Sequence, residues 1–173
     1  IITIMANSSI VGKAKNKIIK EFIKDQDIIA AINSSDIKPS EPEKLIGTHI
    51  FNYNQNPHTL NTVGTFITIQ VHIPHDYYTD YNASVTRVRP TIEIWIISHE
   101  QHMVVDNVPK VTQNRNDYLS ELIDNKINGK RGFGIGETIL LSNIEGAFQQ
   151  DYLFRKMIFQ CTDLNWSLCD SED

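Results

Sequence analysis

Two stretches of alternating hydrophobicity constrain the fold of this chain more than any other feature of its sequence. In residues 65–73, every second position is apolar from Ile67 onward, and polar side chains stand between. Residues 91–97 repeat the pattern with Ile92 and Ile94 on one face, while the other face mixes polar and apolar side chains. A period of two residues predicts β-strands with one buried face. The fold must therefore contain a sheet whose apolar face is covered by other elements.

Helical patterns lie on both sides of these strands in the sequence. Residues 13–24 gather isoleucine and phenylalanine into one stripe beside many lysines, which predicts an amphipathic helix. Aspartates after this helix are suited to cap a second short one over residues 28–32. A further helix is predicted over residues 115–128, with Asn114 as its N-cap and Gly129 as its stop.

Three more strands complete the predicted sheet, over residues 47–53, 137–143 and 151–161. The element order is then α-β-β-β-α-β-β. We expect an α+β fold: a single domain with a mixed or antiparallel sheet and two flanking helices. The last strand alternates apolar side chains on both faces, as expected if one face packs helices and the other meets another subunit.

The chain reads as one domain with short terminal extensions. Its 173 residues are enough for one hydrophobic core. We assign residues 1–12 to an N-terminal arm, residues 13–165 to the α+β domain and residues 166–173 to an acidic C-terminal tail. We find no export signal, and we expect Cys161 and Cys169 to be free thiols.

Charge and hydropathy exclude two classes of function. The formal net charge is −5, whereas proteins that grip nucleic acid through its phosphates carry a surplus of lysine and arginine. The longest unbroken run of large apolar side chains, residues 94–97, is far shorter than the roughly 20 residues that a membrane-spanning helix needs.

Two histidine pairs raise the possibility of zinc chemistry. His72 and His75 form one His-x-x-His pair, and His99 and His102 form the other. Residues three apart on a strand point to opposite faces, so the spacing argues against a shared metal unless the pairs lie in turns. A metal-dependent hydrolase is the alternative of another class, and we predict no metal ligands and no catalytic residues.

A glycine-rich segment, residues 132–136, is similar in composition to a phosphate-binding loop. Such loops lead from a strand into a helix, whose N-terminus faces the phosphate. Here the order is helix, glycines, strand, so that interaction is missing. The segment predicts a flexible connection in which glycine supplies positive φ, and we expect no nucleotide and no other cofactor.

The loop between the two alternating strands, Pro74–Pro90, is unusually long for a compact domain. Tyrosine and arginine are favoured anchors of protein interfaces, because each buries much surface and keeps a polar group. The loop carries five such residues as interface candidates: Tyr77, Tyr78, Tyr81, Arg87 and Arg89.

The chain resembles the tail-terminator and neck proteins of tailed bacteriophages and phage-derived contractile particles. The resemblance covers nearly the whole chain and lies in element order, size and local texture. Its local features are residues 115–119 opening a helix, residues 139–143 after the glycine-rich turn, and the strand 152–159 followed by residues 163–165. The long Pro74–Pro90 loop and the histidine-rich strand ends depart from the family.

The resemblance implies a structural virion protein without enzymatic activity. Such a protein forms a ring, usually a hexamer, on the last ring of the tail tube, ends polymerisation and meets the neck. Its partners are copies of itself, tube or sheath protein and head-completion proteins, and DNA only passes through the lumen. A head-closure, stopper or adaptor ring is the alternative within this class. We assign these contacts to the Pro74–Pro90 loop and to the Lys130–Gly136 turn, which carries Arg131 and Phe133.

Overall fold

A computed structural model describes residues 8–55, 62–73, 78–79, 86–87, 89–132, 135–148 and 151–162. Three α-helices lie in this part of the chain: α1 (Ser8–Lys24), α2 (Gln26–Ile32) and α3 (Arg115–Ile127). Short 3-10 helices span Pro42–Leu45 and Glu100–His102. The strands are β1 (Ile50–Phe51), β2 (Thr65–His72), β3 (Tyr78–Thr79), β4 (Thr86–Arg87), β5 (Thr91–His99), β6 (Ile135–Phe148) and β7 (Tyr152–Thr162).

Five strands form one mixed sheet in the order β1-β2-β5-β7-β6. Strand β1 runs parallel to β2, and the other neighbours are antiparallel. The register places Ile94 between Ile69 on β2 and Met157 on β7, so apolar side chains line up across the centre of the sheet. The expected α+β domain with a mixed sheet is confirmed.

The core lies between the helices and one face of the sheet, which we call the inner face. It joins alternate residues of β2, β5 and β7 to the apolar stripes of the helices, and most of these side chains are isoleucine. The predicted stripes are confirmed: Ile18, Ile19 and Phe22 on α1 are buried, and so are Leu119 and Ile123 on α3.

The opposite side of the sheet, which we call the outer face, carries the alternate residues of the same strands. Phe66 and Ile97 are buried there in a second cluster with Phe51 and Tyr152. Trp95, Phe148 and Phe154 are only partly buried beside this cluster. The outer face is therefore less completely covered than the inner one.

Local chemistry sets the ends of the helices as predicted. Asp25 caps α2 by accepting hydrogen bonds from the backbone N–H groups of Asp27 and Ile28. Asn114 caps α3 by accepting from the N–H of Asp117, and Gly129 follows that helix with φ of +67°. Helix α1 begins at Ser8, five residues before the predicted start, and so takes in the end of the predicted arm.

Two strands differ in length from their predictions. The segment expected over residues 47–53 is a strand only at Ile50–Phe51, because the 3-10 helix and Gly47, with φ of +80°, turn the chain just before it. Strand β6 continues to Phe148, whereas the prediction ended at residue 143. The Pro74–Pro90 loop also holds structure of its own, since β3 and β4 pair antiparallel within it.

Candidate functional site

The interface candidates from the long loop fall mostly outside the part of the chain that the structure describes. Tyr77 and Tyr81 lie outside it. Tyr78 and Arg87 face each other as register partners on β3 and β4, so the backbone does bring these two positions together. Arg89 is exposed, just before β5.

The glycine-rich turn places one of its two candidates on the surface. Arg131 has 80% of its side chain exposed, and its guanidinium lies 3.6 Å from the carboxylate of Glu137 across an isolated bridge. Phe133 is not among the described residues. Gly132 has φ of +115°, which confirms that this connection needs glycine, and Lys17 Nζ holds it by donating to the Gly132 carbonyl at 2.7 Å.

The centre of the outer face is an ionic and aromatic cluster around Trp95. The indole N–H donates to Glu93 Oε1 at 2.5 Å, and Lys156 Nζ lies 3.1 Å from the same carboxylate oxygen. Lys156 also stands 4.9 Å from the centre of the Trp95 ring, within range of a cation–π interaction. His72 Nε2 approaches the second Glu93 oxygen at 3.8 Å. The cluster is only partly buried, as is common for residues that bind other proteins.

Aromatic rings extend this cluster toward the end of the β6–β7 hairpin. The Trp95 ring lies 4.7 Å from that of Phe154 and 6.2 Å from that of Phe148. Phe154 lies against Gly146 in the neighbouring strand, where a β-carbon would stand 2.9 Å from the ring. The glycine therefore provides the space that the ring occupies.

Large apolar side chains remain exposed on the same hairpin. They are Ile139, Leu141, Ile144 and Leu153. Three of the four belong to β6, which is the edge strand of the sheet. Clustered exposed apolar residues on an edge strand mark a contact surface more often than they mark ordinary solvated structure.

A cleft of about 320 Å³ opens between the start of α3 and the same hairpin. Arg155 lies in its wall and makes ion pairs with Asp117 and with Glu145, the latter at 3.0 Å. The lining also includes the apolar side chains of Met103 and Leu153. One arginine between two carboxylates leaves the cleft with an excess of negative charge.

A buried polar network joins α3 to β2 and β5 behind this cleft. Ser98 Oγ donates to Asn116 Oδ1 at 2.6 Å, and Asn116 Nδ2 donates to the Leu153 carbonyl. Thr65 Oγ1 lies 2.8 Å from both Ser98 Oγ and His102 Nδ1. These groups are buried, apart from the half-buried His102, and satisfy one another, so the network fixes the elements that form this side of the cleft.

Arg115 is the largest buried side chain of this region, with 1% exposed. Its guanidinium donates to three backbone carbonyls, those of Ala31, His102 and Val104, at 2.5–2.6 Å. Burial is the first cause of a lowered pKa at Arg115 and also at His102, where it acts with the nearby Arg115 charge to bring the pKa to about 4. His102 is consequently neutral near pH 7.

The two histidine pairs do not converge on a common point in the part of the chain that can be described. His99 Nδ1 accepts from the N–H of Gln101 and its ring packs edge-on against Tyr152, whereas His102 turns to Thr65. His75 lies outside the described ranges. Within those ranges, no three His, Cys, Asp or Glu side chains are grouped so as to hold a metal ion.

The sequence did not point to the residues that shape this region. Arg115 and Asn116 are buried polar side chains at the start of a helix, where such residues are usually exposed. Glu145 and Gly146 lie beyond the predicted end of their strand. The one available signal was the glycine itself, since an isolated glycine within a strand pattern often marks close approach by a neighbour.

A comparison with protein families matches residues 16–161 to the family model described as YomW. The match covers all of the sheet except the last residue of β7, and most of α1. No curated protein matches the chain. No helix in the described ranges is both long enough and apolar enough to cross a membrane.

Proposed function

The chain belongs to the YomW family, whose name is of the Bacillus prophage type, and on that premise we propose that this phage-associated protein is a structural component of a phage tail. In this proposal it forms a ring at the head-proximal end of the tail, ends the growth of the tube or sheath, and joins the tail to the neck. A head-closure, stopper or adaptor ring at the same junction is the alternative.

The observation that carries the proposal is the contrast between the two faces of the sheet. Three helices cover the inner face at the centre of the sheet, while the hairpin β6–β7 leaves Ile139, Leu141 and Ile144 exposed on its edge strand. A protein that works by contact needs such a surface, whereas an enzyme needs convergent reactive groups.

The charge of the chain supports a role beside moving DNA. A net charge of −5 disfavours tight contact with phosphates, so DNA that passes through a ring of such subunits is not retained. We assign the subunit contacts to the Pro74–Pro90 loop and the Lys130–Gly136 turn, the latter on the strength of the exposed Arg131.

The experiment is to image the purified protein by negative stain, alone and after incubation with a tail-tube protein encoded in the same genome. We expect closed rings, and tubes that stop growing when the protein is added. Light scattering after size exclusion measures the same assembly in solution. A protein that stays monomeric with and without tube protein contradicts the proposal, and stoichiometric zinc in elemental analysis would favour the hydrolase alternative instead.

Charge reversal at the proposed contact gives a sharper version of this test. Arg131→Glu places a carboxylate in the turn beside Glu137, and we expect it to reduce ring formation strongly. Lys24→Glu is the matched control, because Lys24 is 70% exposed on α1 and also pairs with a surface glutamate, Glu21. Equal ring yields for the two variants would exclude the turn from the contact.

A further inference from the structure

The two edges of the main sheet differ in how far the chain itself closes them. At the β1 edge, Gly47 N–H donates to the Ile50 carbonyl at 2.8 Å, and Ile46 forms a parallel bridge with Ile50. Strand β1 has only two residues, so its outer side is largely occupied. This edge offers little for another strand to pair with.

The first half of the β6 edge is also closed by the chain. Thr138 exchanges backbone hydrogen bonds with Gly129 and Lys130, at 2.7 and 2.9 Å. The Leu140 N–H donates to Asn128 Oδ1 at 3.0 Å. A register shift follows between Leu140 and Ser142, where β6 bulges against β7. Beyond that bulge, no described residue pairs with the outer side of the strand.

The open half, residues 141–148, has few of the features that protect edge strands: one bulge at its start and one charged side chain, Glu145. Natural edges are blocked by lysine, by proline or by short length. This segment is eight residues long, has neither lysine nor proline, and exposes Leu141 and Ile144 by 54% and 52%. Such an edge is a template for a further strand.

We propose that the open β6 edge pairs antiparallel with the same edge of a second copy, about a two-fold axis at Ile144. Ile144 then faces the partner's Ile144, and Asn143 faces the partner's Glu145. Ser142 faces the partner's Gly146. Since β6 is the outermost strand, the two sheets join into one continuous sheet of ten strands.

Charge and hydrogen bonding select this register. In an antiparallel pair, residues directly opposite each other point to the same face of the sheet. In a symmetric pair of β6 strands, the two-fold axis must therefore pass beside one residue, which then faces its own copy. An axis at Glu145 would set two carboxylates opposite each other, which is destabilising. An axis at Asn143 would set Leu141 against the partner's Glu145. Only the axis at Ile144 pairs apolar with apolar and polar with polar at the centre.

The polar pair in this register is already oriented by Arg155. Arg155 donates to Asn143 Oδ1 at 3.1 Å and to Glu145 Oε2 at 3.0 Å. Asn143 Nδ2 and Glu145 Oε1 keep no partner within the described residues. The amide of Asn143 is therefore placed to donate to the carboxylate of the partner's Glu145, twice in each dimer.

This contact goes beyond the proposed ring and does not depend on it. A ring built by continuing the sheet would need a free β1 edge, and the chain has closed that edge at Ile50. A two-fold contact closes on itself and builds only a dimer, so a ring needs a second contact besides this one. Failure of one in an experiment leaves the other standing.

Sedimentation equilibrium of two matched lysine variants tests the proposal. At about 50 µM we expect wild-type protein to contain a species of twice the 19.8 kDa monomer mass, or a larger assembly that breaks down to it. Ile144→Lys sets two ammonium groups opposite each other, which should weaken dimerisation at least about 100-fold. Ile139→Lys changes an equally exposed isoleucine of the same strand, in the half already closed, and should alter the affinity by less than about threefold.

A cysteine at the axis gives an independent readout. In a Cys169→Ser background, Ile144→Cys should form a disulfide-linked dimer under mild oxidation, because cross-strand β-carbons lie within disulfide range. Ala147→Cys, on the same open edge but away from the axis, should not.

Circular dichroism establishes that each variant is folded. Wild-type protein that is monomeric, equal effects of the two lysine variants, or equal cross-linking of the two cysteine variants would each overturn the two-fold contact. Rings that form normally with Ile144→Lys would support the proposed function and its separate surface.

Discussion

The inner and outer faces of the sheet are built by the same strands and have opposite chemistry. On β5, Ile92, Ile94 and Ile96 are fully buried against the helices, while Glu93 and Trp95 between them form a partly exposed ionic and aromatic cluster. The inner face therefore carries the stability of the fold, and the outer face carries groups that are free to recognise another surface. Because neighbouring residues of one strand point to opposite faces, substitutions at adjacent positions should change different properties. A change on the inner face should alter the free energy of unfolding, and a change on the outer face should alter binding to another surface.

The largest difference in the free energy of unfolding should separate two isoleucine truncations, one on the inner face and one on the outer face. Ile94→Ala leaves a cavity in the core and should lower the free energy of unfolding by about 3 kcal/mol. Ile139→Ala removes the same atoms from an exposed site and should cost less than about 0.5 kcal/mol. Urea unfolding followed by circular dichroism measures both. Similar losses for the two variants would mean that the outer side of β6 is buried in the protein as it exists in solution.

The alternation that defines the inner face was predictable from the sequence because burial on one side leaves a two-residue period. The strands β2 and β5, the caps Asp25 and Asn114 and the stop at Gly129 all follow from local rules. These features depend on neighbours in the sequence or on a single covered face. They are therefore visible without knowledge of the tertiary structure.

The features that shape the candidate site depend on tertiary contacts and left no such pattern. No residue at the end of β6, residues 144–148, is fully buried, and only Gly146 and Phe148 are half-buried, so burial imposes only a weak period on it. Arg115 is buried only because three carbonyls from distant segments converge on it. The pairing of Tyr78 with Arg87 likewise depends on a register within the long loop.

A glycine variant would show that the outer face is not uniformly tolerant. Gly146→Ala puts a β-carbon 2.9 Å from two atoms of the Phe154 ring, which also packs against Trp95. The ring must shift, and we expect a loss of about 1–2 kcal/mol in the free energy of unfolding.

Gly12→Ala is the opposite case, because nothing lies within 4 Å of its added β-carbon in helix α1. That variant should be stabilised by about 0.5–1 kcal/mol. Both are measured by thermal unfolding at a concentration low enough to keep the chain monomeric, and a neutral Gly146→Ala would mean that the ring has room to move.

The effect confined to the narrowest range of conditions should be a change in the pH dependence of stability through His102, because it is seen only at acidic pH. Burial and the nearby charge of Arg115 bring the pKa of His102 to about 4 in the folded chain, against about 6.5 for a histidine in an unfolded chain. Between these two pH values the unfolded state binds more protons than the folded state, so stability falls as the pH drops from about 6.5 to about 4. Above about pH 6.5, the stabilisation from the lowered pKa of His102 is fully present. His102→Gln should flatten this part of the curve of melting temperature against pH. If the slope of melting temperature against pH is the same for His102→Gln as for the wild type, solvent reaches the His102 ring and the buried region does not extend to it.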